Sequence, residues 1–444
     1  MISILNTLYS TVVRKGAAFS AAINSLFATL ETRSTYFENE KGSKTGVKKL
    51  ETAGLLDKAS IILTPTGYSE DVLHNVKPSS APFGDMTHIL ATTLATRVNK
   101  DGLVDTVATR DVPRIDYSKG SGAILSELQA VNQVRYSEDF SNALWTKDAI
   151  TMTSSTKTNP RGVSQTVYNI TRQSASGDGL FATFAATPSG QGTGVSIWVK
   201  RTAGAGSTGN VWIGAGNKSS GTGNYVAVGN EWQRITYAAP QHGGNKIYID
   251  PASQHSFDIW GAQGEYGIVI GGAARVTSYI PTTSTSVTRP RDNYLNGGDA
   301  TLIGAQEGVF YIEAATFANT GSKGIALSAS NSAANRVVIF YSSISNTIQG
   351  RVQASSSTVI PINGTVTDNT DFNKIAFKYK SGDLALWING TEVATSTTAF
   401  TFNAALSELA FDQGNGSIHM DGHVKQLAVF KEVLTDTELA ALTS

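Results

Sequence analysis

Asp412 and Asp421 stand nine positions apart, with Asn415 and His419 between them and His423 just beyond. Carboxylate and amide oxygens in such a stretch suit a hard cation, so Asp412, Asn415 and Asp421 are candidate Ca²⁺ ligands, whereas the imidazoles favour Zn²⁺. The same residues also describe a polar turn followed by a strand whose alternate side chains face water. A second group is aromatic. Trp198, Trp212 and Trp260 fall out of phase with Val195, Ile197 and Val199, with Val211 and Ile213, and with Phe257 and Ile259. Successive side chains on a strand point to opposite faces, so these indoles lie on the face away from the aliphatic set. A flat ring on an open sheet face can stack on a sugar, with Arg234, Asp258 and Lys200 as polar neighbours. The alternative is that the rings are covered, by loops, by the amino-terminal segment or by another subunit.

Patterns that would make these groups catalytic are missing. The closely spaced acidic strand Glu-x-Asp-x-x-Glu of many sandwich-fold glycosidases does not occur, nor does a Gly-x-Ser-x-Gly elbow, a P-loop or a metalloprotease helix. His74, His88, His242 and His255 have no partner at a diagnostic spacing. The expectation is a binding or structural protein and not an enzyme.

The elements that must position these residues are short strands. From Tyr136 to Asp292 the apolar pattern has period two, interrupted by Gly, Ser and Asn, as in an antiparallel sandwich. After the Asn296–Asp299 turn the alternation restarts. Val309–Glu313, Arg336–Tyr341 and Lys374–Lys380 read as strands, and Asn389-Gly390 is the favoured two-residue hairpin turn. At the carboxy terminus, Thr435 and Glu438 are spaced as a capping box for a short helix whose Leu439 and Leu442 would close one end of the sandwich. Residues 51–135, broken by Pro65, Pro78 and Pro82, read as small strands that pack against a neighbour. Ahead of them, Ile2, Leu5, Tyr9, Val12, Gly16, Phe19, Ile23, Leu26 and Leu30 follow a heptad-like stripe. That stripe predicts a helix which either oligomerises, as in a coiled coil, or folds back on its own chain.

Composition sets the frame. In 444 residues, 35 basic side chains balance 35 acidic ones, so no broad field draws the chain to nucleic acid or an anionic membrane. No apolar run is long enough to span a bilayer, and the amino terminus lacks the order of a secretory signal. With no cysteine, disulfides and thiolate metal sites are excluded, as expected for synthesis in a cytoplasm.

Several motifs point further. Tyr136-Ser137-Glu138-Asp139-Phe140-Ser141-Asn142-Ala143-Leu144-Trp145, Trp232–Thr236, Tyr279-Ile280-Pro281-Thr282-Thr283 and Val287–Arg289 occur in the order seen in a domain of bacteriophage head-spike, head-fibre and tail proteins. Ala95–Val104 and Val112–Tyr117 resemble the segment that often precedes it. In the connector Gly120–Gln133 the sequence departs from that pattern. The domain type is similar to carbohydrate-binding sandwiches, and residues 300–444 resemble concanavalin-like jelly rolls of the laminin-G type. The resemblance implies a mainly β chain with an anchoring or oligomerisation helix at 1–38 and an adapter at 39–135. Sandwiches at 136–292 and 293–444 would follow. It also implies a virion protein, synthesised in the host cytoplasm and attached to other capsid or tail proteins through its amino-terminal region. Such a protein would be a homotrimer that displays its sandwiches for adhesion to host-surface glycans. The alternative it leaves open is a tail-fibre or tailspike protein with polysaccharide depolymerase activity. No cofactor is expected beyond the candidate Ca²⁺.

Overall fold

The structure, a computed structural model, describes residues 50–444 except 70–71, 78–85, 108–110, 175, 186–190, 205, 217, 240–244, 253–254, 268, 271–272, 331 and 356–357. The helix expected within 1–38 lies outside the described residues. The fold is mainly β, with antiparallel sheets paired face to face. Among the described residues no helix is long and apolar enough to cross a membrane.

The first sandwich has two five-stranded sheets. Sheet A runs Ile150–Thr158, Ser164–Arg172, Ser256–Tyr266, Thr193–Ala203, Gln233–Ala239. Sheet B runs Gly223–Val228, Gly209–Gly214, Lys246–Pro251, Gly179–Thr183, Trp145–Asp148. The period-two pattern produces the core directly: Val195, Ile197, Val199, Phe257 and Ile259 from sheet A meet Leu180, Val211, Ile213, Ile247 and Ile249 from sheet B. One irregularity shapes the outer face of sheet A. Ser196 pairs with Gln263 but Trp198 pairs with Trp260, so the Ser256–Tyr266 strand carries an extra residue, a β-bulge. Gly261 takes the left-handed conformation (φ +65°) at this point, and a Cβ there would sit 3.1 Å from the Trp198 ring.

The second sandwich draws on distant parts of the chain. In sheet C the strand Gly422–Phe430 pairs on one side with Glu307–Thr316, which continues to Asn373–Lys380, Leu384–Ile388 and Thr391–Ser396. On its other side it pairs with Ala59–Leu63 and, further along, with Ile124–Ser126. Part of the segment read as an adapter is thus built into the second sandwich. Sheet D runs Thr358–Thr365, Thr347–Ala354, Arg336–Tyr341, Lys323–Ser328, Glu408–Ala410. Phe310, Ile312, Ile375, Phe377 and Leu427 of sheet C pack on Ile325, Val337, Ile339, Ile348 and Val352 of sheet D. Asn389 and Gly390 both have positive φ (48° and 86°), the backbone of a type I′ hairpin turn. The terminal helix Asp436–Thr443 has its capping box formed. Its Leu439 and Leu442 pack with Leu50 and Leu55 on Tyr311, Trp387 and Phe430, covering the outer face of sheet C and not an end of the sandwich. The reason is that Val309, Tyr311 and Ala428 make that outer face apolar as well.

A buried charged cluster ties the two sandwiches together. Arg114, 0% exposed, pairs with Glu127 at 2.9 Å and with both carboxylate oxygens of Asp292. Arg289 also faces Glu127 (3.4 Å), Arg275 pairs with Asp421, and His88 contacts Asp292 at 3.2 Å. Asp116, which accepts the Val98 N–H at 2.7 Å, contacts His423 at 3.1 Å. Arg289 and Asp292 end the Thr/Ser-rich exit of the first sandwich, whereas Asp421 and His423 begin the hub strand of the second.

A candidate ligand groove on the first sandwich

The expected tryptophan face divides in two. Trp198 and Trp260 are direct cross-strand partners on the outer face of sheet A, their rings T-shaped at 5.5 Å. Tyr279 packs on both, at 5.2 and 5.0 Å, and Val104 and Trp232 complete the cluster. The Arg234 guanidinium stacks over Trp198 at 4.6 Å and donates to Ser196 Oγ and the Thr277 carbonyl. Trp198 is left 7% exposed and Trp260 0%, so the chain's own segments cover the rings. What remains is a cavity of about 270 Å³ whose walls include Trp198, Arg234, Glu127, Asp116, Phe317 and His423. Asp258 lies further along the same sheet and accepts from Lys157 (2.7 Å) and Asn169 (2.9 Å). Trp212 belongs to sheet B, where it packs against Tyr225 at 5.4 Å and donates to the Gly216 carbonyl. The structure therefore groups Trp198, Trp260 and Arg234, leaves Asp258 to one side, and puts Trp212 on the other sheet.

The residues read as metal ligands have other partners. Asp412 Oδ1 accepts the N–H groups of Gly414, Asn415 and Gly416, which makes it the organiser of a turn. Asp421 accepts from Leu128 N–H and pairs with Arg275. Burial pushes its carboxyl upward despite the Arg275 charge. Among the described residues no three Asp, Glu or His side chains are grouped as they would be to hold an ion.

An open groove of about 670 Å³ lies elsewhere on the first sandwich, where its opening and closing segments meet. Tyr136 N–H donates to the Thr283 carbonyl (2.7 Å), Ser137 Oγ and Tyr279 OH are 2.9 Å apart, and Thr282 N–H donates to Ser137 Oγ at 2.9 Å. This knot is made by two of the motifs that carry the family resemblance. It brings Tyr136, Glu138 and Asp139 together with Pro281, Thr282 and Thr283, and the strand Ser164–Arg172 adds Gln165, Thr166 and Tyr168 to the same lining. Arg161 closes the rim, its guanidinium tethered to Thr106 Oγ1 at 2.8 Å. Glu138 accepts from Gln165 Nε2 (3.2 Å) and Tyr279 OH (3.1 Å). Asp139 accepts from Tyr168 OH at 2.8 Å and from Ser141. The Ser141 hydroxyl holds the Asp139 carboxyl below its ordinary range, against a smaller opposing effect of burial and with help from Tyr168.

Chemically this is a surface of carboxylate acceptors, amide and guanidinium donors and one accessible tyrosine ring, that of Tyr136, the mixture that orients a small polar ligand. The downward shift at Asp139 keeps that carboxyl ionised, which does not suit the general-acid role in glycoside cleavage. The part of the lining made by Tyr136–Asp139 and Pro281–Thr283 is legible in the sequence as family motifs, with no ligand assigned to it. The available signal was that the first and last segments of an antiparallel domain end side by side, so polar and aromatic residues in both converge. Arg161 and Gln165 carried no such signal.

No protein-family model and no curated protein sequence matches the chain. Solved structures do resemble it in part. The CBM40 domain of Ruminococcus gnavus IT-sialidase bound to α2,3-sialyllactose aligns at 18% identity and a TM-score of 0.29, over 33% of this chain and 91% of that one. Domain 4 of AbnA, a GH43 extracellular arabinanase from Geobacillus stearothermophilus, in complex with arabinotriose, aligns at 12% identity and a TM-score of 0.30, over 38% and 82%. A heptameric SAP-like pentraxin from Limulus polyphemus aligns at 14% identity and a TM-score of 0.26, over 32% and 70%. Each likeness covers about a third of the chain, and the ligands named belong to those proteins.

Proposed function

We propose that the protein is a non-catalytic adhesion subunit that binds glycans in the groove between Tyr136–Asp139 and Pro281–Thr283. The observation that carries this reading is the groove's lining. Tyr136, half-buried, offers its ring to the apolar side of a pyranose, while Tyr168, 7% exposed and packed in the core, contributes only the hydroxyl that Asp139 holds. Glu138, Asp139, Gln165 and Arg161 offer acceptors and donors to neighbouring hydroxyls. A hydrogen bond to a charged group contributes about 1.5–3 kcal/mol, so two or three of them with one ring contact suffice for a weak, multivalent adhesin. In the fuller reading the subunit is carried on a bacteriophage particle as a head fibre, spike or decoration protein, held as a trimer through its amino-terminal region. That part rests on the ordered motifs at 95–117, 136–145 and 279–289.

The test is a glycan array probed with the full-length protein, repeated with Arg161→Ala and Glu138→Gln. Binding that drops about tenfold in both variants while their melting temperatures stay within a degree or two of wild type supports the groove. A blank array, or binding indifferent to both changes, overturns it. Shortening of host polysaccharide on incubation with the protein would instead favour the depolymerase alternative, and a monomeric mass that fails to attach to particles would remove the virion reading.

A further inference from the structure

On the outer face of sheet D stand two arginines, Arg336 and Arg351, that form no salt bridge among the described residues. Alternation along Arg336–Tyr341 sends Val337, Ile339 and Tyr341 to the core and puts Arg336, Val338 and Phe340 on the outer face, where Val338 and Phe340 are buried with Ala326. On the neighbouring strand Ile348 and Val352 point inward, leaving Gln349, Arg351 and Gln353 outside. The register pairs Arg336 with Gln353, Val338 with Arg351 and Phe340 with Gln349, so the two arginines are diagonal neighbours. Each is fixed in place. Arg336 donates Nε and Nη2 to Gln353 Oε1 (3.0 and 2.6 Å) and Nη1 to the Gln413 carbonyl (2.7 Å). Arg351 lies flat on Phe340, its guanidinium carbon 3.5 Å from the ring centroid, and donates Nε to Gln349 Oε1 at 2.6 Å.

The Phe340 contact and the Nε bond hold Arg351 in place, yet among the described residues neither of its Nη atoms has a hydrogen-bond partner, and neither arginine forms a salt bridge. Asp412, whose Oδ1 is occupied by its turn, acts on Arg336 only at longer range. Both guanidinium pKa values are pulled down, first by burial, and in Arg351 also by the charge of Arg336. Two oriented, half-buried cations that repel each other are costly unless an anion joins them, and a planar fork fits an oxyanion in two-point geometry. Asn363, opposite Gln349 on the adjacent strand, adds an exposed amide beside those of Gln349 and Gln353.

We propose that this face is a second ligand site, distinct from the groove, that takes a saccharide bearing a carboxylate or sulfate. The oxyanion meets the free Nη pair of Arg351 beside Arg336, and the Gln349, Gln353 and Asn363 amides meet ring hydroxyls.

The probe is an array carrying sialylated, uronate-containing and sulfated saccharides beside their neutral parents, with polyglutamate as a non-sugar polyanion. Full-length wild type, Arg351→Ala, Arg351→Lys and, as the groove control, Arg161→Ala are compared. The expected result is preference for one acidic saccharide over its neutral parent and over polyglutamate. That preference should fall at least tenfold in Arg351→Ala, fall less in Arg351→Lys, and persist in Arg161→Ala. The carboxylated and sulfated arms identify the source of the oxyanion. Equal binding of acidic and neutral forms overturns the proposal. So does equal binding of polyglutamate, or a signal that survives Arg351→Ala with an unchanged melting temperature. Loss in Arg161→Ala alone would return all binding to the groove and also reject the second site.

Discussion

Asp292 shows how much a single carboxylate can hold in this molecule. Burial alone would raise its pKa, but the charge of Arg114, reinforced by hydrogen bonds from His88 and Arg114, brings it down to about 2. Glu127 is likewise held well below its ordinary range; Arg289, Arg114 and Arg275 overcome its burial. A carboxyl depressed on folding contributes stability that is complete above its unfolded pKa and is lost as pH falls through its folded value. The contribution of Asp292 is therefore intact above pH ~4 and lost towards pH 2. Glu265 and Asp421, raised mainly by burial, act in the opposite direction and blunt the slope. Urea melts across this window should show stability falling on acidification. Asp292→Asn should cost about 3–5 kcal/mol at neutral pH, because it leaves Arg114 partly uncompensated in a buried site, and should flatten the acid slope. A variant as stable as wild type, or with the same acid slope, would show that the cluster does not hold the junction.

At the scale of elements, the closing helix is held by two different means. Its cap is local: Thr435 Oγ1 accepts the Glu438 N–H at 3.3 Å, and Glu438 Oε2 accepts the Thr435 N–H at 2.9 Å. Its docking is tertiary, through Leu439 and Leu442 on the outer face of sheet C. Thr435→Ala should therefore cost about 1 kcal/mol, the value of a cap, and leave the sheet intact. Chemical denaturation would read this as a shifted midpoint at unchanged slope. A loss several times larger would mean that the cap also governs docking. The bulge at Trp260-Gly261 is the other element that sets a site, because it places Trp198 and Trp260 side by side under Tyr279.

The whole molecule is organised around the strand Gly422–Phe430. It lies between Glu307–Thr316 on one side and two pieces from the first third of the chain on the other. A fragment beginning at residue 293 would lose Ala59–Leu63 and Ile124–Ser126, leaving an apolar strand with an unpaired edge, a template for aggregation. The expected outcome is that residues 293–444 expressed alone aggregate or fail to melt cooperatively, whereas residues 50–444 give a soluble, cooperatively melting protein. Size-exclusion chromatography with thermal melting checks this. A stable, monomeric 293–444 fragment would show that the added strands are dispensable.

What the amino-acid sequence determined by itself is local. The alternation at Val195–Val199 and Lys374–Lys380, the Asn389-Gly390 turn and the Thr435/Glu438 cap each act over a few residues, and the structure has all four. The partners and coverings of those elements are decided at long range. That Trp198 and Trp260 are sealed by Val104 and Tyr279, that Ala59–Leu63 joins Leu427–Phe430, and that Arg161 reaches the rim beside Glu138 all depend on distant pairings. Closing a longer loop costs only slightly more entropy than closing a short one, so distant segments can pair with no local pattern to announce it. A period-two strand shows which residues share a face. Only the folded chain decides whether that face meets water, a ligand or another part of itself.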